Sequence, residues 1–130
     1  MIIDSSAVLA LVFEEPESAR IATAIAAATR RRMSTVNWLE TLMVVEGRLG
    51  VESADDAQLI LRELEVEALP FDREQMIEAR AAWRRFGKGR HPAALNLGDC
   101  CAYAAALVTG DELLYKGDDF SKTDIAAVAW

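Results

Sequence analysis

Short apolar segments alternate with longer helical segments along the whole chain, and this alternation limits the possible folds more than any other feature. Segments with the length and the apolar, β-branched character of strands lie at 1–4, 33–36, 66–71, 112–116 and 125–129. Apolar residues recur at helical spacing over 7–13, 18–29, 37–49, 53–64, 72–86 and 97–109. Strands that are separated by helices form parallel sheets covered on both faces. We therefore predict a three-layer α/β/α fold with a central parallel sheet of four or five strands.

The composition is that of one globular domain spanning residues 1–130. Apolar residues make up 52% of the chain and charged residues 27%. No apolar run approaches the roughly 18 residues of a membrane span, and no basic segment precedes the first apolar run, so we expect a cytoplasmic protein that does not enter the membrane. The only cysteines, Cys100 and Cys101, are adjacent, which disfavours an unstrained disulfide. They are expected to be buried thiols in a reducing compartment.

Acidic residues occupy comparable places next to the predicted strands. Asp4 ends the first strand, and Glu40 lies in the first helical turn after the second. Asp99 lies in the first turn of the Ala-rich helix, and the Asp118–Asp119 pair follows the fourth strand. The carboxyl ends of parallel strands meet at one edge of the sheet, where α/β proteins bind ligands. We therefore expect these acids to lie at the same edge.

Each of these acids also has a structural interpretation. Asn37 and Glu40 have the spacing of a helix N-cap followed by an acid that favours the helix dipole, and Asn96 and Asp99 share this spacing. A pair of aspartates is common in turns. Asp4 is harder to explain, because a carboxylate that ends an apolar strand must cap the next helix or be held by a cation.

The convergence of four acids favours a cation at this edge. Like charges at short range do not all ionise without a counterion. Carboxylate oxygens suit Mg²⁺ or Mn²⁺, and zinc is disfavoured because His91 is the only histidine and no paired-cysteine motif is present.

A local group of basic residues stands out in an acidic chain. The formal net charge is −7, yet no acid lies between Glu78 and Asp99, a stretch that holds Arg80, Arg84, Arg85, Lys88 and Arg90. Such a patch favours phosphate binding, and Lys88 and Arg90 flank a glycine from which they can approach a nucleic-acid backbone. The alternative is a solvated helix end. The tryptophans could stack on bases, although packing in the core or against a partner explains them equally well.

Four segments of the chain together resemble a known family. They read MIIDSSA at 1–7, STVNWLE at 34–40, LGDC at 97–100 and GDDF at 117–120. In this order and spacing they resemble PIN domains, and more closely the VapC toxins of bacterial toxin–antitoxin pairs. The stretch from Gly87 to Asp99 is similar to one VapC subgroup, and the resemblance covers the whole chain.

The resemblance implies a metal-dependent endoribonuclease that acts as a toxin. It implies that Asp4 and Asp99 bind one or two Mg²⁺ or Mn²⁺ ions, that Glu40 and Asp118 assist through water or a second ion, and that activated water attacks an RNA phosphodiester in line. Lys88 and Arg90 would bind the RNA. Many family members carry the fourth acid two residues after a Thr or Ser that this chain lacks, so the choice between Asp118 and Asp119 stays open, with Asp118 favoured.

Partners follow from the same resemblance. They are an RNA substrate, a VapB-like antitoxin whose tail covers the active-site groove, and a second copy of the chain, giving homodimers and toxin–antitoxin hetero-oligomers. The apolar face of Ala22, Ile25, Trp38, Leu42 and Val45 is either a place for such contacts or part of the core.

One alternative belongs to another class, a non-enzymatic signalling receiver-like domain with an acidic Mg²⁺ pocket. Lys116 would then serve as the lysine that follows a late strand in such domains. A receiver needs two adjacent acids after the first strand, where this chain has Ser5 and Ser6, and an aspartate at the end of the third strand, where it has none. The sequence therefore favours the nuclease.

Overall fold

Four short parallel strands form the centre of the structure, a computed structural model that describes residues 1–130. The strands are β1 (Ile2–Ile3), β2 (Arg32–Ser34), β3 (Glu67–Leu69) and β4 (Leu113–Leu114), in the order β3-β2-β1-β4. This confirms the predicted fold class. The expected strand at 125–129 is reduced to a single parallel bridge between Ala127 and Leu113.

Six α-helices cover the two faces of this sheet. They are α1 (Ser5–Val12), α2 (Ser18–Ala27), α3 (Thr35–Leu49), α4 (Val51–Glu63), α5 (Arg73–Phe86) and α6 (Leu97–Thr109). A short 3-10 helix, Phe120–Lys122, follows β4. None of these helices combines the length and the apolar composition that crossing a membrane requires.

Three predicted helix starts were wrong by two residues, and the first of these helices, α1, begins at Ser5 and not at Ala7. Helix α3 begins at Thr35, because the Ser34 hydroxyl accepts a hydrogen bond from the Val36 N–H at 3.3 Å and so caps the helix before Asn37 is reached. Helix α4 begins directly after Gly50, whose φ of 94° is a conformation that favours glycine, and not at the expected cap Ser53.

Neighbouring strand residues send their side chains to opposite faces of the sheet. Ile2 and Leu113 pack with α5 and α6 on one face. Ile3 and Leu114 pack with α1 and α2 on the other. The Ala-rich helix α6 is buried along most of its length, and its small side chains let it lie close to the strands. Its first turn is thereby held at the edge where β1 and β4 end.

The arginines at 30–32 stabilise the fold. Arg31 donates to the carbonyl of Ile25 at 2.7 Å near the end of α2, and to the carbonyl of Leu64 at 3.0 Å. Arg32 is buried in β2 and pairs with Asp111 at 2.5 Å. These contacts are all within the fold, and they hold the end of α2 and the strand β2 in place.

Asp111 lies between two positive groups, the Arg32 guanidinium and the N-terminal amine, which is 3.4 Å away. Burial acts to raise the pKa of Asp111, but hydrogen bonding and the charges of these two groups outweigh it and hold the pKa below its usual value. The ionised carboxylate therefore stabilises the folded state above the unfolded pKa, and this contribution is lost as the pH falls through the folded value.

We expect Asp111→Asn to lower the free energy of unfolding at pH 7 by about 1–2 kcal/mol, because it leaves Arg32 partly buried without its carboxylate. The difference from the wild type should shrink as the pH approaches the folded pKa of Asp111. Urea unfolding at several pH values measures both effects. Glu65→Gln is the control, since Glu65 pairs with Arg31 at 3.6 Å but has an 86% exposed side chain, and its effect should stay within about 0.5 kcal/mol.

Candidate active site

The order of the strands changes direction at β1, with β2 and β3 on one side and β4 on the other. In open parallel sheets such a switch point leaves a crevice at the carboxyl ends of the strands, where ligands bind. Asp4 follows β1 directly, and the turn containing Asp118 and Asp119 follows β4. The fold therefore brings the predicted acidic positions to the place where a ligand site is expected.

The carboxylate of Asp4 is buried, with only 4% of the residue exposed. Its Oδ2 accepts hydrogen bonds from the Ser6 backbone N–H at 2.9 Å and the Ser6 hydroxyl at 2.6 Å, and its Oδ1 accepts one from Asn37 Nδ2 at 3.2 Å. Asp4 thus caps α1, one of the two roles that the sequence analysis allowed for it. Burial raises the pKa of Asp4, and the hydrogen bonds from Ser6 oppose this change.

Asn37 is a positioning residue that the sequence analysis missed. It is fully buried inside α3, and its Nδ2 lies 3.2 Å from Asp4 Oδ1, 3.3 Å from Ser5 Oγ and 3.0 Å from the Gly98 carbonyl. An asparagine three residues before an acid reads as a helix cap, so the local sequence hides this role. Since α3 begins at Thr35, Glu40 lies in the second turn and not at the third helical position that we predicted.

Glu40 extends from α3 towards the start of α6, where Gly98 leaves room for it. A Cβ atom at Gly98 would lie only 1.9 Å from Glu40 Oε2 and 2.9 Å from Glu40 Cδ. Burial raises the pKa of Glu40, and the charges of Asp4 and Asp99 raise it further. Glycine at position 98 therefore leaves the space that the Glu40 carboxylate occupies.

Asp99 forms the capping box that the sequence predicts. Its Oδ2 accepts from the Asn96 N–H at 2.8 Å, and its own N–H donates to Asn96 Oδ1 at 2.9 Å. Burial raises the pKa of Asp99 to about 6, and the charges of Asp4 and Asp119 contribute to the increase. The capping box orients the Asp99 carboxylate, but its hydrogen bond does not fully offset the free-energy cost of burying the ionised group.

The two aspartates after β4 act on different neighbours. The charge of Asp119 raises the pKa of both Asp4 and Asp99. The charge of Asp118 raises that of Tyr115. The electrostatics therefore couple Asp119, and not the favoured Asp118, to the other acids. We call Asp4, Glu40, Asp99 and Asp119 the acid cluster.

The Lys116 ammonium group pairs with acids outside the acid cluster. Its ammonium group pairs with Glu15 and, at 3.1 Å, with Glu17 in the segment between α1 and α2. Its backbone N–H donates to Ser6 Oγ at 2.9 Å, which ties the end of β4 to the start of α1. The receiver-like alternative needs this lysine at the acids, so the geometry disfavours that alternative.

Lys88 and Arg90 lie exposed on the loop between α5 and α6. This loop is closed by hydrogen bonds from the Lys88 N–H to the Leu95 carbonyl and from the Leu95 N–H to the Phe86 carbonyl, each 3.0 Å long. Neither side chain has a carboxylate within salt-bridge distance. Both charges are therefore available to an anionic ligand.

The donor set of the acid cluster suits a hard divalent cation. No three histidine, cysteine or acidic side chains are placed to hold one metal ion together. Mg²⁺, however, usually takes one or two carboxylates from the protein and fills its other positions with water and phosphate oxygens. A buried carboxylate with a raised pKa beside other acids gains most from such an ion, and the buried Asn37 Oδ1 has no hydrogen-bond partner in the same network.

Comparison with known proteins identifies the family. The chain matches the PIN domain family over residues 1–126, and it is 44% identical over 129 residues to ribonuclease VapC30 of Mycobacterium tuberculosis, covering 99% of this chain and 98% of that protein. The chain belongs to the PIN-domain VapC ribonucleases. A second VapC ribonuclease, from Mycolicibacterium smegmatis, is 44% identical over 128 residues, covering 98% of this chain and 99% of that protein. The resemblance seen in the sequence is confirmed.

Solved structures of VapC proteins share the fold. The VapC20 toxin of Mycobacterium tuberculosis, described as cleaving the sarcin–ricin loop, superposes with a TM-score of 0.79 at 17% identity, covering 98% of this chain and 97% of that chain. A chain of VapBC2 from Rickettsia felis, solved with a promoter DNA fragment, gives 0.74 at 13% identity, covering 98% of this chain and 96% of that chain. At these identities the likeness concerns the fold alone.

We expect Asp99→Asn to stabilise the metal-free protein at pH 7.5. The folded pKa of about 6 lies above the unfolded value of 3.8, so the ionised carboxylate destabilises the folded state once the pH exceeds about 4. Because Asp99 is partly exposed, the gain should be about 1–2 kcal/mol, less than the full shift implies. Urea unfolding in chelator measures it.

The same comparison at pH 4 is the control, where the wild-type carboxylate is protonated and the two proteins should agree. Asp118→Asn should have little effect at either pH, because Asp118 is exposed at the surface. If Asp99→Asn differs from the wild type by the same free energy of unfolding at both pH values, the ionised Asp99 carboxylate does not destabilise the folded state as proposed.

Proposed function

We propose that this chain hydrolyses RNA phosphodiesters as the toxin of a toxin–antitoxin pair, with Mg²⁺ or Mn²⁺ held by Asp4 and Asp99. The observation that carries the proposal is the electrostatic coupling of Glu40, Asp99 and Asp119 to the buried Asp4 carboxylate at the switch point of the sheet. The VapC relatives are named as ribonucleases, which supports the same reaction.

We assign the fourth acidic role to Asp119 in place of Asp118. Asp119 is the aspartate of the turn whose charge acts on both proposed metal ligands. The charge of Asp118 acts instead on Tyr115, which is not one of the acids. This assignment separates the two neighbours by their electrostatic environment, which the sequence cannot do.

The residues of the chain divide the work of an in-line hydrolysis. Ser6 and Asn37 orient Asp4, and the Asn96 N–H orients Asp99. When bound, the metal lowers the pKa of a water molecule and neutralises charge that develops on the phosphoryl oxygens. Glu40 accepts a hydrogen bond from the attacking water, a role suited to a carboxylate whose pKa is raised by burial and by the charges of Asp4 and Asp99.

Basic side chains on the loop after α5 offset the repulsion between the acid cluster and RNA. Lys88 and Arg90 carry unpaired charges and are proposed to bind backbone phosphates. Contacts of this kind orient the strand without reading its sequence. The choice of RNA must therefore depend on other contacts.

We further propose that a VapB-like antitoxin covers the groove beside Glu40. Three large apolar side chains line this groove and are strongly exposed: Leu39 at 59%, Met43 at 65% and Leu97 at 75%. A protein segment packed on them would bury this surface and block access to the acids. The face suggested by the sequence is less suitable, because Ile25 and Val45 belong to the core.

An apolar surface and the buried thiols bear on the assembly and the compartment of the protein. Exposed Leu49, Val51 and Leu59 on the α3–α4 pair offer a surface for a second copy of the chain, as expected for a homodimer and a toxin–antitoxin hetero-oligomer. Action on cellular RNA places the protein in the cytoplasm, and two buried, free cysteines are compatible with a reducing compartment.

The purified chain should cleave RNA with Mg²⁺ or Mn²⁺ and not in chelator. Asp4→Asn, Asp99→Asn and Asp119→Asn should each reduce the rate by at least about 100-fold, since each removes a charge that the ion needs, whereas Asp118→Asn should change it less than about threefold. Gel analysis of a mixed RNA substrate measures these rates. Cleavage that persists in chelator and in all variants would exclude the metal mechanism, and loss in Asp118→Asn alone would reverse the assignment of the fourth acid.

Gly98→Ala tests the role of Glu40 without touching a carboxylate. The new methyl group must displace the Glu40 carboxylate, so cleavage should fall by about 100-fold. Folding should change by less than about 1 kcal/mol, because the end of a flexible side chain can move and alanine favours helix. Gly47→Ala in α3 is the matched control, with no side chain or other element within 4 Å of the new methyl group beyond its neighbours in the helix, and it should leave cleavage unchanged. Normal cleavage by Gly98→Ala would remove Glu40 from the mechanism.

A further inference from the structure

A second pocket, of about 470 Å³, lies between α5 and the start of α6. Asn96 and Leu97 line this pocket and also line the groove that contains Glu40 and Gly98. The Asn96 N–H donates to the Asp99 carboxylate. One turn of backbone therefore separates the pocket from the acid cluster, a distance that neighbouring nucleotides of one strand can span.

The lining of this pocket is both aromatic and basic. Its apolar walls come from Phe71, Met76, Ala79, Trp83, Leu95, Leu97 and Cys100, and its cationic side chains are Arg80 and Lys88. No acidic side chain lines it. In a chain with a net charge of −7, this combination favours a ligand that has a flat apolar part and a negative charge.

Trp83 is held in a fixed position although it is 42% exposed. A Cβ atom at Gly87 would lie 2.6 Å from Trp83 Cδ1 and 2.3 Å from the Trp83 carbonyl oxygen, so the indole packs against a backbone that only glycine leaves open. The guanidinium of Arg90 lies over the ring, 4.0 Å from its centroid. Since Trp83 lines the pocket, this pair offers a stacking surface beside it.

The cations around Trp83 form no ion pair within the fold. Arg80, Lys88 and Arg90 have no carboxylate partner, whereas Arg85 on the same helix pairs with Asp124 at 2.7 Å. Unpaired positive charges beside an exposed aromatic ring match the phosphate and the base of a nucleotide.

We propose that this pocket binds one unstacked base of single-stranded RNA against Trp83 and Arg90, with Arg80 and Lys88 at the adjoining phosphates. The inference rests on the proposed ribonuclease function and extends it, because it assigns a base-binding subsite beside the acid cluster to named residues of α5 and its loop. A duplex keeps its bases stacked on one another and cannot fill the pocket. Any base has a face to stack, so Trp83 selects for unpaired RNA and not for one sequence.

A second tryptophan–arginine pair provides a matched control. Arg20 lies 5.0 Å from the centroid of Trp130, in a pocket of about 480 Å³ formed mainly by alanines of α2. Trp130 packs with the core on the face of the sheet opposite to α5, and its Nε1 donates to the Tyr115 carbonyl at 3.1 Å. No lysine lines that pocket, and none of its residues lines the groove of Glu40.

The test is binding of a labelled, unstructured 12-nucleotide RNA to the full chain in chelator, measured by fluorescence anisotropy beside a duplex of the same sequence. Trp83→Ala should weaken single-strand binding by about 10- to 100-fold, while Trp83→Phe should retain most of it and Trp130→Phe should match the wild type. The preference for single strand over duplex should disappear in Trp83→Ala. Thermal melting of each variant establishes that it is folded.

The outcomes separate this inference from the proposed function. Equal single-strand binding by the wild type and folded Trp83→Ala overturns the base pocket, even if the wild type cleaves RNA with metal. A loss of binding in Lys88→Gln without any loss in Trp83→Ala also overturns it, since the contact is then purely electrostatic. Selective loss in Trp83→Ala supports the pocket, even if cleavage is absent and the ribonuclease proposal fails.

Discussion

The burial of the Asp4 carboxylate is the constraint on which the rest of the site depends. A carboxylate withdrawn from water at the end of an apolar strand must be satisfied by hydrogen bonds or by a cation. The Ser6 backbone and hydroxyl and the Asn37 amide supply hydrogen bonds from two different helices. These bonds fix α1 and α3 relative to β1, so the fold and the site share the same contacts.

Structural and functional roles coincide at several acidic residues. Asp4 caps α1, and Asp99 completes the capping box of α6. A cap would be satisfied by any short polar side chain, but both carboxylates also have raised pKa values caused first by burial and then opposed or reinforced by their neighbours. The caps hold the carboxylates in place, and the remaining electrostatic cost is what a divalent cation would relieve.

The distribution of charge around the site is asymmetric. The acid cluster lies at the switch point of the sheet, while unpaired cations occupy α5 and the loop after it. Two basic side chains near the strand ends, Arg32 and Lys116, are neutralised by Asp111 and by Glu15 and Glu17. An RNA strand approaching this protein would therefore meet unpaired positive charge at α5 and the loop after it, beside the acids.

The sequence by itself determined the layers of the fold, the identity of three acids and the basic loop. Strand–helix alternation implies a parallel sheet, and its strand ends collect Asp4 and the starts of the following helices at one edge.

The tertiary structure decided the contacts that depend on residues far apart in the chain: the burial of Asn37 beside Asp4, the room that Gly98 leaves for Glu40, and the coupling of Asp119 to Asp4 and Asp99. A local pattern cannot distinguish an N-cap asparagine from a buried one, or one aspartate of a pair from the next. Those differences arise from packing between elements 30 to more than 100 residues apart in the chain, which a local pattern does not record.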